Sequence, residues 1–197
     1  MFTGIIQALG VVRSLDTVGD AIRMRVESLG FFAGAKSGDS IANNGVCLTI
    51  EESGADSASF TMIHQTVQTT SFSRIKVGSR VNLEQACRPD SLMGGHLVMG
   101  HVDGTVTVLA QISRETGVEV TFSVPEDFRR YIIQKGSVCL DGVSLTVAEK
   151  GEDFIRVALI PETLAKTNAR DWLPGVPVNL EVDMIGKYVE NFMRQSR

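Results

Sequence analysis

The sequence predicts an all-β protein made of two small closed β-barrels in tandem, with short helices and a C-terminal helix. Three observations predict this fold class: an internal duplication, short β-type segments that recur in both halves, and a length that divides into two domain-sized units. The 197 residues give each unit about 98, which is enough for a modest core of its own. Two similar domains suggest two similar ligands.

The duplication is clearest where residues 40–50 are set above residues 137–147, because serine, glycine, valine, leucine and threonine recur in register at an offset of 97. A period this long lies outside the range of solenoid repeats, so the pattern indicates two tandem domains related by duplication. Further matching pairs are Thr66 and Thr163, Gly78 and Gly175, residues 82–84 and 179–181, and, at an offset of 96, residues 4–6 and 100–102.

Each unit offers about six short segments that alternate in polarity or are rich in β-branched residues, with glycines between them. Their spacing is typical of barrels. The predicted strands are residues 5–12, 22–27, 40–42, 46–51, 59–63 and 80–83 in the first unit, and residues 102–108, 118–123, 137–140, 143–148, 155–159 and 177–181 in the second.

Short helices are expected between the strands. Residues 125–133 begin with proline, carry acidic residues in the first turn and continue with apolar residues at helical spacing. Residues 161–167 begin in a similar way. The sequence therefore predicts at least two helical insertions in the second unit.

The C-terminal tail departs from the repeat. After Asp183, the residues Ile185, Val189, Phe192 and Ser196 form one narrow stripe, apolar except at its last position, on a helix of about three turns. Such a helix is marginal alone, so it either packs on its own barrel or mediates self-association, and an extra element on a duplicated monomer favours the second. We divide the chain into a first barrel (1–96), a second barrel (97–184) and an oligomerisation helix (185–197).

Composition excludes several classes of protein. A net charge of −4 and a pI near 5.4, with no basic cluster, argue against a nucleic-acid partner. Cys47, Cys87 and Cys139 are odd in number and widely spaced, which favours a reducing compartment, with the cytoplasm as the default. The first residues lack the features of a signal peptide, and no segment is long enough to span a membrane, so we expect no membrane partner.

The duplication also offers a test for chemistry, since positions that differ between the units can give each ligand a different role. The aligned positions that differ are Ile5 and His101, Asn44 and Asp141, Cys47 and Ser144, and Ala86 and Asp183. Most groups that could act as an acid or a base therefore fall in the second unit.

The histidines suggest proton transfer more than metal binding. His101 lies in the segment Gly-His-Val-Asp-Gly, where the glycines permit close approach of a ligand and the imidazole titrates near neutral pH. The alternative is a histidine at a strand end that only makes local hydrogen bonds. His96 lies five residues away, but no third ligand completes a zinc spacing, so we expect no metal site; His64 is a weaker candidate.

Several other side chains keep two interpretations on sequence grounds. Cys47 is either a thiolate nucleophile or, more commonly for cysteine, a small packing or ligand-lining residue. Ser144 lacks the Gly-x-Ser-x-Gly pattern of hydrolases, although its hydroxyl can bind or relay a proton. Thr49 and Thr146 recur at matched positions, as a repeated polar contact or as β-branched strand residues. Asp183 is either a helix N-cap or an acid or base.

Taken together, five segments of this chain resemble riboflavin synthase of the alpha-chain type. They are residues 1–5 (Met-Phe-Thr-Gly-Ile), 44–49 (Asn-Gly-Val-Cys-Leu-Thr), 94–104 (Gly-Gly-His-Leu-Val-Met-Gly-His-Val-Asp-Gly), 141–146 (Asp-Gly-Val-Ser-Leu-Thr) and 160–164 (Ile-Pro-Glu-Thr-Leu). Any one of these motifs is weak, but together they cover the whole chain and are highly specific.

The resemblance implies two six-stranded Greek-key barrels and a C-terminal helix that gathers three chains into a homotrimer. It implies that two molecules of 6,7-dimethyl-8-ribityllumazine dismutate by transfer of a four-carbon unit, giving riboflavin and 5-amino-6-(D-ribitylamino)uracil. Each active site holds two lumazines, between the first barrel of one chain and the second barrel of a neighbour. No metal or redox cofactor is implied, and lumazine synthase is a further expected partner.

The resemblance also assigns site residues. The implied catalytic positions are Ser40, Cys47, His101, Ser144, Thr146 and Asp183. Implied substrate contacts are Phe2, at the site edge, with Thr3, Gly4, Ile5, Ile6, Cys47, Leu48, Thr49, Thr61, Met62, Ile63, His64, Gln65 and Thr66 in the first unit, and Gly100, His101, Val102, Lys135, Ser144, Leu145, Thr146, Ile160, Pro161, Glu162, Thr163, Leu164 and Ala165 in the second. We expect His101, Ser144 and Asp183 to handle protons and Cys47 to contact the complementary ligand.

The chain departs from the family pattern at two positions. Gln65 stands where glutamate is common, and Met99 stands where a polar residue is frequent, so ligand affinity of the first barrel is expected to differ. The nearest rival is a lumazine- or flavin-binding fluorescent antenna protein without turnover, which should lack parts of the second constellation; a ligand-free trimeric scaffold is a third class. The presence of Cys47, His101, Ser144 and Thr146 favours the enzyme.

Overall fold

The computed structural model describes residues 1–195 and contains two closed antiparallel barrels of six strands each. The first barrel has the strand order β1-β2-β5-β4-β3-β6, with β6 pairing back onto β1. Its strands are β1 (Ala8–Val18), β2 (Ala21–Glu27), β3 (Ser40–Asn43), β4 (Val46–Ser53), β5 (Ser57–Met62) and β6 (Arg80–Gln85).

The second barrel repeats this order, as β7-β8-β11-β10-β9-β12. Its strands are β7 (Gly104–Arg114), β8 (Gly117–Ser123), β9 (Ser137–Leu140), β10 (Val143–Lys150), β11 (Phe154–Leu159) and β12 (Pro177–Val182). In each barrel the chain leaves the second strand, builds a hairpin and returns beside that strand with the fifth, which is a Greek-key connection. The predicted fold class is confirmed.

The same register shifts bend both barrels. Shifts at Val12/Ser14 and Ile50/Glu52 in the first barrel correspond to shifts at Val108/Ala110 and Val147/Glu149 in the second. A bulge bends and twists its strand, which allows a sheet of only six strands to close on itself. Each barrel then encloses its own apolar core, around Phe60 in the first and around Phe122 and Trp172 in the second.

Four helices accompany the barrels: α1 (His64–Thr69), α2 (Glu126–Arg129), α3 (Pro161–Lys166) and α4 (Met184–Gln195). Short 3₁₀ turns follow α1 and α3, at Ser71–Arg74 and Asn168–Asp171. The helix predicted over 125–133 is shorter than expected, because the chain after Arg129 makes turn hydrogen bonds and buries Ile132 in the second core. No helix within residues 1–195 is both long enough and apolar enough to cross a membrane.

Helix α4 presents its stripe outward. Ile185, Val189 and Phe192 are 60%, 51% and 64% exposed. Self-association through this helix stays a prediction, and Ser196, the last position of the stripe, lies outside the described residues.

The two barrels join through matched hairpin turns. Asn44 and Gly45 connect β3 to β4, and Asp141 and Gly142 connect β9 to β10, with positive φ at all four residues as a type I′ turn requires. The tips touch, because a methyl group on Gly45 would lie 2.7 Å from the Gly142 nitrogen. Asparagine side chains complete this joint: Asn82 Nδ2 donates to the Asp141 carbonyl (2.9 Å), and its counterpart Asn179 donates to the Asn44 carbonyl (2.9 Å).

The two segments that lead into the barrels are exchanged between them. We call residues 2–7 the first arm and residues 98–103 the second arm. The arms pair with each other through a bridge between Phe2 and Val98. Ile6 of the first arm packs against the core of the second barrel, whereas Val102 of the second arm packs against the core of the first. Strand β1 therefore begins at Ala8 and not at residue 5 as predicted.

Candidate active site

A cavity of about 350 Å³ lies where the second arm meets the first barrel, and we call it the first site. Its lining combines a thiol, an imidazole, an amide and several hydroxyl groups. The lining residues are Val46, Cys47, Gln65, Thr66, Thr69, Thr70, Gly100, His101 and Val102. The site therefore offers polar groups on a mostly neutral surface, as an uncharged heterocycle would need.

The second arm is fixed against the first site by its backbone. The Cys47 N–H donates to the Gly100 carbonyl oxygen at 2.9 Å. Gly100 has a φ of +78°, and a methyl group on it would lie 2.6 Å from Cys47 Cβ, so only glycine fits this position.

An equivalent second site is formed where the first arm meets the second barrel, around Gly4, His96 and Ser144. The Ser144 N–H donates to the Gly4 carbonyl oxygen at 2.8 Å. Gly4 has a φ of +76°, and a methyl group on it would lie 2.6 Å from Ser144 Cβ. The duplication has thus produced the same backbone contact twice, with cysteine at one site and serine at the other.

The second site contains a histidine–serine pair. His96 Nδ1 lies 2.6 Å from Ser144 Oγ, and the His96 backbone N–H donates to the Thr3 carbonyl oxygen at 3.1 Å. Burial lowers the pKa of His96, and the nearby Asp183 carboxylate opposes that shift. A neutral imidazole with Nδ1 free of hydrogen accepts the Ser144 hydroxyl hydrogen, so this pair can take up a proton from a bound ligand.

Asp183 has a structural task at the same place. Its Oδ1 accepts from the Ile185 N–H at 2.9 Å and so caps the first turn of α4. Its charge also acts on His96, and its role as an acid or base stays a prediction.

Comparison with known proteins agrees with this duplicated arrangement. The family model of the lumazine binding domain matches residues 3–86 and again residues 99–183. Riboflavin synthases of Mycobacterium bovis and Bacillus subtilis are 40% and 35% identical to this chain, each over all of this chain and over 100% and 91% of their own lengths. The chain belongs to the riboflavin synthase family.

Solved structures give the same fold. LumP complexed with 6,7-dimethyl-8-(1'-D-ribityl) lumazine superposes with a TM-score of 0.84 at 26% identity, covering 93% of this chain and 99% of LumP. LumP complexed with riboflavin gives a TM-score of 0.85 at 27% identity, covering 93% and 100%. The expectation that the chain is an enzyme, a riboflavin synthase, is confirmed by its full-length relatives.

Within the riboflavin synthase frame, the arms require a correction to the expected grouping of residues. The sequence groups Gly4 to Ile6 with the first unit and Gly100 to Val102 with the second, but each segment docks on the other barrel. The proposed group of His101, Ser144 and Asp183 is also divided, because His101 lines the first site with Cys47. The histidine that contacts Ser144 is His96.

The remaining catalytic candidates lie on paired strands. Ser40 of β3 is the register partner of Thr49 in β4, and Ser137 of β9 is the partner of Thr146 in β10. Both threonines are exposed. Ser40 and Thr146 thus lie on equivalent strand pairs, the same pairs that carry Cys47 and Ser144, and their catalytic roles stay predictions.

Some of the expected substrate contacts are buried in the protein. Phe2 is fully buried with Val98, Ala42 and Cys139, beneath the arms, so its ring supports the first site from below. Met62 and Leu48 belong to the core of the first barrel. The exposed or partly exposed members of the same stretches are Thr49, Thr61, Ile63, His64, Gln65 and Thr66.

The other second-barrel candidates surround its opening. Lys135 is exposed and holds a φ of +64°, with its N–H donating to the Val147 carbonyl (2.8 Å). Residues 160–165 form the N-cap and first turns of α3, and Pro161 and Leu164 line a separate cavity of about 310 Å³ with Arg170. Thr163 and Leu145 are partly buried, whereas Ile160, Glu162 and Ala165 are exposed.

Sequence reasoning missed the contact of His96 with Ser144 because it tested that histidine only as a metal ligand. Among residues 1–195, no group of three or more His, Cys, Asp or Glu side chains is arranged to hold a metal ion. A usable signal was the glycine before it: a methyl group on Gly95 would lie 2.1 Å from the Thr3 carbonyl oxygen and 2.9 Å from Ser144 Oγ. A glycine at such a close approach marks the meeting of two chain segments.

Proposed function

We propose that the first site of one chain and the second site of a neighbouring chain together bind two molecules of 6,7-dimethyl-8-ribityllumazine. Support comes from the two equivalent sites with unlike side chains, and from LumP, a relative solved with a lumazine and with riboflavin. The observation that carries the proposal is the 2.6 Å contact between His96 and Ser144, because it places a hydrogen-bonded histidine–serine pair at the second site, where the first site has Cys47 in place of the serine.

The second site starts the reaction. The electron-poor ring of a lumazine makes its C7 methyl protons acidic, so the methyl group can lose a proton to Ser144 Oγ while the serine hydroxyl proton passes to His96 Nδ1. A neutral imidazole is needed for this step, and burial keeps His96 in that form by lowering its pKa. The ligand at the second site then carries a nucleophilic carbon.

The first site holds the acceptor. Cys47 and His101 line it, so a thiol, an imidazole or a water held by them can add to the ring or stabilise the charge that develops. Two carbon–carbon bonds then form between the stacked rings, and the two carbon–nitrogen bonds that held the four-carbon unit in the donor ring break, with the released protons returned to its nitrogens. The products are riboflavin and 5-amino-6-(D-ribitylamino)uracil. Holding the rings face to face supplies a large part of the rate through proximity.

Assembly as a homotrimer follows from α4 in this proposal. The stripe of Ile185, Val189 and Phe192 is more than half exposed, and a helix of 12 residues that offers such a stripe gains stability from equivalent helices about a symmetry axis. The three cysteines are free, which is typical of a reducing compartment and supports a location in the cytoplasm. Association with lumazine synthase stays a prediction.

One experiment separates this proposal from its rivals. The protein is mixed anaerobically with 6,7-dimethyl-8-ribityllumazine, and absorbance is followed for riboflavin formation with two substrates consumed per product. Binding without turnover would favour an antenna protein, for which the likeness to LumP is the supporting observation. No binding at all would leave a scaffold and overturn the proposal.

A further inference from the structure

One buried glutamate accepts hydrogen bonds from the backbone of each arm and so holds it in place. Glu84, on β6, accepts from the Thr3 N–H (2.7 Å), the Thr3 hydroxyl (2.7 Å) and the Gly4 N–H (3.0 Å). Its carboxylate therefore receives three donors from two consecutive residues of the first arm.

The second half repeats this arrangement. Glu181, on β12, accepts from the N–H groups of Met99 (2.6 Å), Gly100 (2.9 Å) and His101 (3.0 Å). Three successive backbone N–H groups converge on one carboxylate, which is the geometry of an anion-binding nest. Glu84 and Glu181 are 2% and 3% exposed, and burial raises the pKa of both carboxyl groups, against the effect of the N–H donors.

We propose that Glu84 and Glu181 are positioning residues for the reaction, each of which sets the geometry of the site on the opposite barrel through the arm that it holds. Glu84 fixes Thr3 and Gly4, whose carbonyl oxygens accept from His96 and Ser144. This glutamate therefore governs the histidine–serine pair of the second site.

Glu181 acts on the first site in the same way. It fixes Gly100, whose carbonyl oxygen accepts from the Cys47 N–H, and it holds the backbone of His101 directly. Only one residue of the arm, Gly4 or Gly100, separates each glutamate from its site. A small movement of the carboxylate is therefore transmitted to the side chains that face the ligand. Displacement of a catalytic or binding side chain by about 1 Å can lower the rate by about 100-fold.

The two anchors differ in one detail that makes a graded test available. In the first arm the Ile5 N–H donates to Thr3 Oγ1 at 3.2 Å, so the threonine hydroxyl relays the third contact, whereas at Glu181 the His101 N–H reaches the carboxylate directly. Thr3→Val removes only this relay. It leaves the Glu84 carboxylate and both of its N–H donors in place.

The test uses the three histidines as local probes. We would label the full-length protein at histidine and compare ring NMR signals of wild type with Glu84→Gln, Glu181→Gln, Thr3→Val and the exposed surface control Glu115→Gln. A glutamine keeps the volume of the side chain but offers one acceptor oxygen and one amide group that repels an N–H. His64, exposed at the start of α1, is the internal reference.

The expected pattern is crosswise. Glu84→Gln should shift the His96 signals and its titration, Glu181→Gln should shift the His101 signals, and Thr3→Val should move His96 by less than Glu84→Gln does. In steady-state assays each glutamine variant should lose at least about tenfold in kcat, with Glu115→Gln unchanged. Equal shifts of both histidines in both variants, or no shift in either, would reduce the glutamates to fold stabilisers and overturn the proposal.

This inference rests on the proposed function, because that proposal makes the two cavities ligand sites. The experiment nevertheless distinguishes failure of the positioning role from failure of the proposed function. The histidine signals need no substrate, so a crosswise pattern with no turnover in wild type would sink only the proposed function. Normal turnover without the crosswise pattern would sink only the positioning role. If either glutamine variant does not fold, Thr3→Val supplies the decision for the first arm, since it must move His96 and leave His101 in place.

Discussion

At the first site the second arm brings Gly100 against Cys47, and at the second site the first arm brings Gly4 against Ser144, with the same N–H to carbonyl hydrogen bond in each case. The frames match, but the side chains do not. The thiol of Cys47 and the exposed imidazole of His101 face the first site, whereas at the second site Ser144 is hydrogen-bonded to the half-buried His96. The two sites therefore share one backbone frame and differ in the side chains that line it.

The largest effect should come from breaking the contact between chains that would join the two sites. We expect Ile185→Glu combined with Val189→Glu to dissociate the oligomer, because charges replace the exposed apolar stripe of α4. Activity should fall more than about 10,000-fold, since a single chain would bring only one half of each paired site. Sedimentation and steady-state assays check this, with Asn191→Glu on the same helix as the control. A fully active monomeric variant would contradict the account.

The comparison of the two sites is sharpened by His96→Asn. This change removes the proton acceptor of the second site, so kcat should fall about 100- to 10,000-fold, together with exchange of the C7 methyl protons in a single turnover. Cys47→Ala should slow product formation but keep that exchange. Similar exchange in His96→Asn and wild type would show that the base lies elsewhere.

The pH profile should report the same residue. Burial lowers the pKa of His96, so the acid limb of the kcat profile should lie below the ordinary histidine value of about 6.5 and be lost in His96→Asn. The unfolded chain binds this proton more readily than the folded one, so stability from this group falls as the pH drops through that range. An acid limb above about 6.5 would contradict the assignment.

An intermediate effect, on the free energy of unfolding, is expected from Asp141 at the joint between the barrels, where Asn44 is its counterpart. The Asp141 carboxylate accepts from Asn179, Asn168 and Trp172, yet burial raises its pKa from 3.8 to about 6. Between these values the folded protein holds a proton that the unfolded chain has released. The free energy of unfolding due to this group should therefore fall by about 3 kcal/mol as the pH rises from about 4 to about 6.

Urea unfolding at a series of pH values checks the Asp141 prediction. Asp141→Asn has no proton to release, so its stability should lack this drop, whereas the exposed Asp20→Asn should keep it. An identical pH dependence in wild type and Asp141→Asn would exclude Asp141 as its source.

The smallest expected change in stability comes from two variants that test the exchange of arms directly. Gly4→Ala and Gly100→Ala each place a methyl group 2.6 Å from the opposite barrel and force a non-glycine residue into positive φ, at a cost of about 2 kcal/mol in stability. Binding should weaken at the second site for Gly4→Ala and at the first site for Gly100→Ala. Riboflavin titrations that show the reverse pairing would contradict the exchange.

Much of the fold could be predicted from the sequence because it is repeated. Each of the twelve predicted strands overlaps an observed one, although β1 and β7 begin and end later than predicted, and Asp183 is followed by the predicted helix. Alignment of the halves also identified Cys47 and Ser144 as equivalent. These features depend on local periodicity and on internal comparison, which a single sequence contains.

The site was less accessible because it depends on where segments dock. Alignment pairs Gly4 with Gly100, but it cannot reveal that Gly4 contacts the second barrel and Gly100 contacts the first. His96 gains its role from a contact over 48 residues with Ser144. Glu84 and Glu181 recur as a matched pair in the sequence, yet a repeated glutamate on a strand gives no sign that it is buried beneath backbone donors.

The most direct test of the central claim, that unlike sites from two chains act together, is subunit mixing. Gly100→Ala impairs the first site of its chain and His96→Asn impairs the second, so each variant alone should be nearly inactive while still binding ligand at its intact site. Co-refolded at equal amounts, they should recover about a quarter of wild-type activity, because random assembly pairs two intact sites in that proportion. Mixed protein no more active than the average of its parents would contradict the account.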